Sequence, residues 1–307
     1  MSDPRANVLL FGRTGQVGSE LARALSPIGE VTACGRHEAD FLVPETVSRA
    51  VLRHRPDVVI NAAAYTAVDR AESEPASAEL VNARAVEALA RAAHEVDAAV
   101  IHYSTDYVFD GEKEGAYVET DPTAPLNVYG RTKLLGERAL ADRVAAHVIL
   151  RTSWVYGAGP RNFLRTILRL ARERDELAIV DDHRGAPTAS RFIAEATAAI
   201  LARCGGDVRG HLRARAGVYH LTAAGAATWY RFACAIAALD PRREEQRARA
   251  IRPIPAREYP TPARRPRNSV LDNTRIARAF GVAQPAWEDD LARVMASLGG
   301  AAVTGAR

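Results

Sequence analysis

The first half of the chain alternates short apolar, β-branched runs with longer stretches whose apolar residues recur at helical spacing. That alternation marks a parallel sheet covered by helices. Strands are expected at residues 7–11, 30–34, 57–61, 99–104 and 148–152, separated by helices at 16–26, 45–53, 77–96 and 129–141. Beyond Thr152 the rhythm loosens. Helices at 162–174 and 190–203, a short strand at 218–221 and a last helix from Ala286 fit the pattern. Residues 241–253 are mostly charged and read as a solvated face, whereas 254–272 are rich in Pro and Arg and read as an ordered loop. The tail after Leu298 is expected to fray.

Composition narrows the class. A chain of 307 residues can bury a substantial core as one large domain or two. The net charge of +4 suits an anionic ligand, but no basic stripe of a nucleic-acid binder is formed. Cys34, Cys204 and Cys234 are odd in number and lack metal-ligand spacing, so they read as free thiols in a reducing compartment. Residues 1–7 hold no apolar signal core, and no stretch reaches the length of a membrane span. A cytoplasmic protein without membrane or nucleic-acid partners is expected.

Chemistry enters at Gly12-Arg13-Thr14-Gly15-Gln16-Val17-Gly18, directly after the first strand and at the start of a helix. The first glycine permits the tight turn, the second lets backbone approach a phosphate, and the third allows close helix–strand packing. Free N–H groups at the helix start then face a pyrophosphate. The fold class that follows is α/β, a doubly wound parallel-sheet Rossmann fold. After the second strand, where an acid would accept hydrogen bonds from an adenosine ribose, the chain reads Cys34-Gly35-Arg36-His37. A guanidinium there can pair with a 2′-phosphate, which points to NADPH. The other reading puts Arg36 on the surface and lets Asp40 or backbone meet the adenosine.

Tyr129 and Lys133 stand one helical turn apart on one face. Only two lysines, Lys113 and Lys133, occur among 41 basic residues, so this position has kept Lys where the chain otherwise uses Arg. A cation beside a phenol lowers the phenol's pKa, and such a tyrosine can pass a proton to a carbonyl oxygen. The fourth strand ends in Tyr103-Ser104-Thr105-Asp106-Tyr107, and such folds place active sites at the carboxyl ends of the strands. Thr105, with Ser104 as competitor, is a candidate to orient the same carbonyl. Asp106 reads either as a sugar ligand or as a turn cap.

These motifs together resemble the extended short-chain dehydrogenase/reductases, and within them the dTDP-4-dehydrorhamnose reductase family. The segments carrying the resemblance include residues 12–18, 61–69, 72–74, 104–109, 124–130, 151–156, 185–188 and 262–269. The resemblance implies NADPH- or NADH-dependent reduction of the 4-keto group of a dTDP-4-dehydro-6-deoxy sugar, the last step of dTDP-rhamnose synthesis. It implies that Thr105, Tyr129 and Lys133 are catalytic. It lines the cofactor with Gly12, Arg13, Thr14, Gly15, Gln16, Val17, Gly18, Arg36, Asp40, Phe41, Ala62, Ala63, Ala64, Tyr65, Thr66, Tyr103, Tyr129 and Lys133. The sugar nucleotide is expected at Thr105, Asp106, Tyr129, Trp154, Arg264 and Arg267. Trp154 reads otherwise as core packing, and the arginines, Arg265 among them, as a solvated loop. The expected organisation is a cofactor domain over 1–156, joined by part of 185–215, and a smaller C-terminal substrate-binding region over 157–307.

The chain departs from the family at Gly35, where some members carry an aspartate. Some members dimerise through acidic residues and magnesium. No matching ligand set is evident, so no metal is expected, and a homodimer is left open. The rival readings are an epimerase or dehydratase of the same superfamily, and a non-catalytic nucleotide-binding subunit.

Overall fold

The structure is a computed structural model that describes residues 6–159 and 161–300. The first five residues and most of the tail expected to fray lie outside the described residues. Six parallel strands form the central sheet: β1 (Ala6–Phe11), β2 (Gly29–Cys34), β3 (Val58–Asn61), β4 (Ala99–Thr105), β5 (His147–Thr152) and β6 (Gly217–His220). Their order is β6-β5-β4-β3-β1-β2. The chain runs outward from β1 to β2 and then returns past β1 to β3. The direction of winding therefore reverses between β1 and β3, and a crevice opens at their carboxyl ends.

The strands are nearly all apolar because both faces are covered. On β1, Val8 and Leu10 join one core layer with Leu21 and Leu25 of α1 (Gln16–Leu25) and with Ile193 and Ile200. Leu9 and Phe11 point the other way, toward Val47 and Val51 of α2 (Pro44–His54) and Leu89 of α3 (Ala85–Glu95). This two-residue period places α4 (Val128–Ala141), through Leu140, on the α2–α3 face and α6 (Ser190–Ala202) on the α1 face. Between them in sequence, α5 (Phe163–Glu173) also packs on the α1 side through Leu164 and Ile167.

Two expectations are corrected and one element is added. The helix read as 77–96 is not continuous: Pro75–Glu79 leads into a π turn at Leu80–Arg84 before α3. The wide turn brings the buried Asn82 amide onto the Tyr65 backbone and the Thr132 hydroxyl, 2.9–3.1 Å away. Residues 241–253 are not only a solvated face, because Ala250–Ile254 pairs in parallel with Glu176–Val180. This ribbon buries little beyond Leu177 and Ile254, so its apolar signal is faint. Thr274–Phe280 is a further helix, capped at Gly281 in the left-handed conformation.

One ion pair fixes α4 to the sheet. Arg151 on β5 donates from Nε and Nη2 to Glu137 at 2.9 and 2.7 Å, and Ser104 on β4 donates to the same carboxylate. Both charged side chains are at most 5% exposed. Removing one partner from such a pair strands the other charge, at a cost of about 3–5 kcal/mol. Urea unfolding of Glu137→Gln should show a loss of that size. The double variant Glu137→Leu/Arg151→Met should lose less than the single one. A single-variant loss below about 1 kcal/mol would contradict this role for the pair.

Candidate active site

The glycine loop lies in the crevice. Gly12 has φ +83°, and a Cβ there would stand 2.7 Å from the Ala62 carbonyl carbon. A Cβ at Gly18 would meet the Gly12 oxygen at 2.0 Å. Helix α1 starts after an extended Gly15 with no side-chain cap, so its first N–H groups face outward. Arg13 and Thr14 are exposed. Gln16 reaches across the crevice, where its amide oxygen accepts from Asn162 at 2.9 Å; Val17 packs against the core.

At the adenosine end the structure differs from the reading of an acid-free strand end. Glu38 folds back to accept from the Gly35 N–H at 2.8 Å and pairs with Arg13 at 3.1 Å. Arg36 is largely exposed and stands 3.8 Å from Asp40. Phe41 is buried edge-on against Phe11, so its side chain belongs to the core. After β3, Ala62, Ala63, Ala64 and Tyr65 line the crevice, partly buried, with Thr66 exposed. The Tyr65 hydroxyl donates to Glu74 at 2.6 Å.

The catalytic candidates converge at the carboxyl end of β4. Asn127 caps α4 by accepting from the Gly130 N–H at 2.8 Å, and Tyr129 follows in the first turn. Lys133 is buried and donates to the Tyr103 carbonyl at 2.6 Å, with His102 Nε2 at 3.2 Å. Burial pulls the Lys133 ammonium down to about 8, while Glu137 pulls it up. Burial pushes the Tyr129 phenol up to about 12, against a hydrogen bond with Thr105 that lowers it. The expected depression of Tyr129 by Lys133 is therefore corrected. Desolvation is the largest influence on the phenol, and the Lys133 ammonium is directed to the Tyr103 carbonyl.

The Thr105 hydroxyl lies 3.0 Å from Asp106 Oδ1, is within reach of Tyr129 as well, and accepts from the Tyr107 N–H at 3.2 Å. Asp106 is buried and also accepts from Ser153 at 3.1 Å and from Ser269. It is thus not a turn cap; Thr105 is. Tyr103 turns its ring into the core, where its hydroxyl meets Thr197 at 2.7 Å, so only its carbonyl reaches the site. Trp154 holds φ +45° and stacks on Trp229 at 3.5 Å, with Gly185 beneath its ring. Arg264 and Arg267 are exposed, whereas Arg265 is tied to Asp69 at 2.8 Å. Among the described residues no three His, Cys, Asp or Glu side chains gather to hold a metal ion, and no helix is long and apolar enough to cross a membrane.

Sequence reasoning missed His102, Ser153, Trp229 and Ser269. His102 carried a signal, a polar residue inside an apolar strand. The others lie in segments whose place beside β4 is set only by tertiary contacts.

The family described as RmlD substrate binding domain matches residues 6–299. The dTDP-4-dehydrorhamnose reductase of Shigella flexneri is 48% identical over 95% of this chain and 98% of its own. That of Burkholderia thailandensis is 50% identical over 91% and 95%. The chain belongs to the dTDP-4-dehydrorhamnose reductase family. Its structure is similar to that of the Bacillus anthracis reductase in complex with NADP, with a TM-score of 0.86, 30% identity and 95% and 99% coverage.

The Asp106 environment has a measurable consequence. Burial is the largest influence and raises its carboxyl from 3.8 to about 6, against hydrogen bonds that lower it. The folded protein thus holds this proton more tightly than the unfolded chain does. Its contribution to stability falls as pH rises from about 4 to 6, and the cost is complete above 6. Two units correspond to about 3 kcal/mol. Asp106→Asn keeps the shape and removes the charge. Its stability relative to wild type should rise by up to that amount between about pH 4 and 7 in urea titrations. A pH-independent difference would exclude a buried ionising carboxyl.

Proposed function

We propose that this chain reduces the 4-keto group of dTDP-4-dehydro-6-deoxy-L-mannose with NADPH or NADH, giving dTDP-L-rhamnose in the last step of dTDP-rhamnose synthesis. The observation that carries this is the convergence of Thr105, Tyr129 and Lys133 beside the glycine loop, in a chain about half identical to named reductases. The crevice fits a dinucleotide. A Cβ would fill the cradle at Gly12 and Gly18, and the open N–H groups of α1 suit a diphosphate.

When bound, the reduced nicotinamide supplies a hydride to the sugar carbonyl carbon. Tyr129 keeps its proton until an oxyanion forms, because its buried phenol resists ionisation. It is the acid that protonates the 4-oxygen. Thr105, pinned between Asp106 and the Tyr107 N–H, fixes where that oxygen meets the phenol. Lys133 would hold the nicotinamide ribose, and Trp154 and Asp106 would contact the sugar. Arg264 and Arg267, free of ion pairs among the described residues, face solvent where they can meet the diphosphate.

Tyr129→Phe should lower turnover by roughly 10²- to 10⁴-fold with little change in cofactor affinity. Lys133→Arg keeps the charge and should still impair turnover, because the planar fork is too wide for the pocket. The assay follows oxidation of NAD(P)H by the dTDP-4-dehydro sugar and formation of dTDP-L-rhamnose. Near wild-type turnover in Tyr129→Phe would overturn the assignment. Conversion of a 4-hydroxy sugar nucleotide without net cofactor oxidation would favour the epimerase reading.

Cofactor choice follows from the end of β2. Arg36 is largely exposed and only loosely paired with Asp40 at 3.8 Å, so it can turn to a 2′-phosphate, and Glu38 already has Arg13 as its partner. A charge-assisted bond of about 1.5–3 kcal/mol, reduced by solvent, favours NADPH by roughly tenfold. Arg36→Ala should bring the KM values for NADPH and NADH together. Gly35→Asp should favour NADH, with Arg13 displaced because the new Cβ stands 3.1 Å from its Nε. A wild-type preference for NADH would refute this reading.

A further inference from the structure

The acid that β2 lacks at its end is supplied from three residues further on. A Cβ on Gly35 would stand 3.3 Å from Glu38 Oε2, so the Glu38 carboxylate borders the space that an aspartate side chain at position 35 would enter. A turn brings it there: the Glu38 N–H donates to the Gly35 carbonyl at 3.2 Å, and Glu38 Oε2 accepts from the Gly35 N–H at 2.8 Å. Oε1 takes the Arg13 guanidinium at 3.1 Å. Arg13 is itself held over the strand end, because its N–H and that of Gly12 reach the Cys34 carbonyl at 3.4 and 3.1 Å. The other acid of the segment, Asp40, is engaged elsewhere. Its Oδ1 accepts from the Leu42 N–H at 3.0 Å and stands 3.8 Å from Arg36.

We propose that Glu38 is a specificity-determining residue for the cofactor. Its carboxylate accepts from the 2′-hydroxyl of an NADH ribose and opposes the 2′-phosphate of NADPH, with Arg13 as a counterion that can change partners. The proposal deepens the reductase reading and rests on the nicotinamide dinucleotide invoked there. In this fold a carboxylate at the end of the second strand takes the ribose hydroxyl, and Glu38 is the carboxylate at that place. A phosphate brought there meets a like charge. Arg13 sets how much that matters. The two side chains are 45 and 44% exposed, and an exposed pair holds weakly. Arg13 therefore turns to a phosphate at little cost, which leaves Glu38 without its counterion. Arg36 supplies attraction and Glu38 limits it, so the site discriminates by one favourable and one opposing element and both cofactors stay usable.

Direct titration with NADPH and with NADH, in the absence of sugar nucleotide, tests this. Glu38→Gln keeps an oxygen for the Gly35 N–H and removes the charge. NADPH should bind it more tightly and NADH should not, so the ratio of the two Kd values should move roughly tenfold toward NADPH. The shift should shrink at about 1 M salt. The double variant Gly35→Asp/Glu38→Gln returns a carboxylate to the strand end and should bring the ratio back toward the wild-type value. A ratio unchanged by Glu38→Gln, or a double variant that keeps the ratio of the single one, would overturn the proposal. Wild-type protein that binds neither cofactor would overturn the dinucleotide reading and this proposal with it. Wild-type binding with a ratio insensitive to Glu38 would overturn this proposal alone.

Discussion

The candidate site depends on a charge pair buried beneath it. Glu137 and Arg151 meet in the interior, and both would be costly there alone. Their bidentate contact, joined by Ser104, ties the middle of α4 to the ends of β4 and β5. Gly136 lets the π turn approach the same helix, since a Cβ there would meet the Asn82 oxygen at 2.2 Å. Tyr129 and Lys133 therefore project from a helix that can neither slide nor roll. The register that brings Lys133 Nζ to the Tyr103 carbonyl is set one turn further on, by Glu137.

A second network joins distant parts of the chain. Asp106 gathers hydroxyls from Thr105, Ser153 and Ser269, which are far apart in sequence. The segment after β5 and the loop near residue 269 are thereby held against the end of β4. The same loop is fixed from the other side by Asn127, which donates to the Arg264 carbonyl at 2.7 Å, and by Arg265 on Asp69. The later loop thus inherits its position from the central sheet and α4. Trp154 illustrates the strain this allows. Its left-handed backbone costs on the order of 1–3 kcal/mol and persists because Trp229 and Gly185 leave the ring one place to lie.

What the sequence made legible is what chain neighbours decide. The strand–glycine–helix passage at 7–18 and the Tyr129–Lys133 spacing are local, and both read correctly as geometry. The π turn at Leu80–Arg84 did not, because its cause lies across space in Tyr65 and Thr132. The ribbon of Glu176–Val180 with Ala250–Ile254 was hidden by charges on its open face. Glu38 lies past the end of β2 in sequence, and a turn returns its carboxylate to the Gly35 N–H. The Tyr129 pKa was misjudged because spacing reports a neighbour's charge but not the depth at which both groups sit.

Depth also explains why one lysine persists in an arginine-rich chain. A guanidinium keeps its proton under any protein condition and has no lone pair to offer. At this depth the compact ammonium reaches the Tyr103 carbonyl, and burial and Glu137 pull its proton affinity in opposite directions. The wide planar fork of an arginine at position 133 could not take the same place.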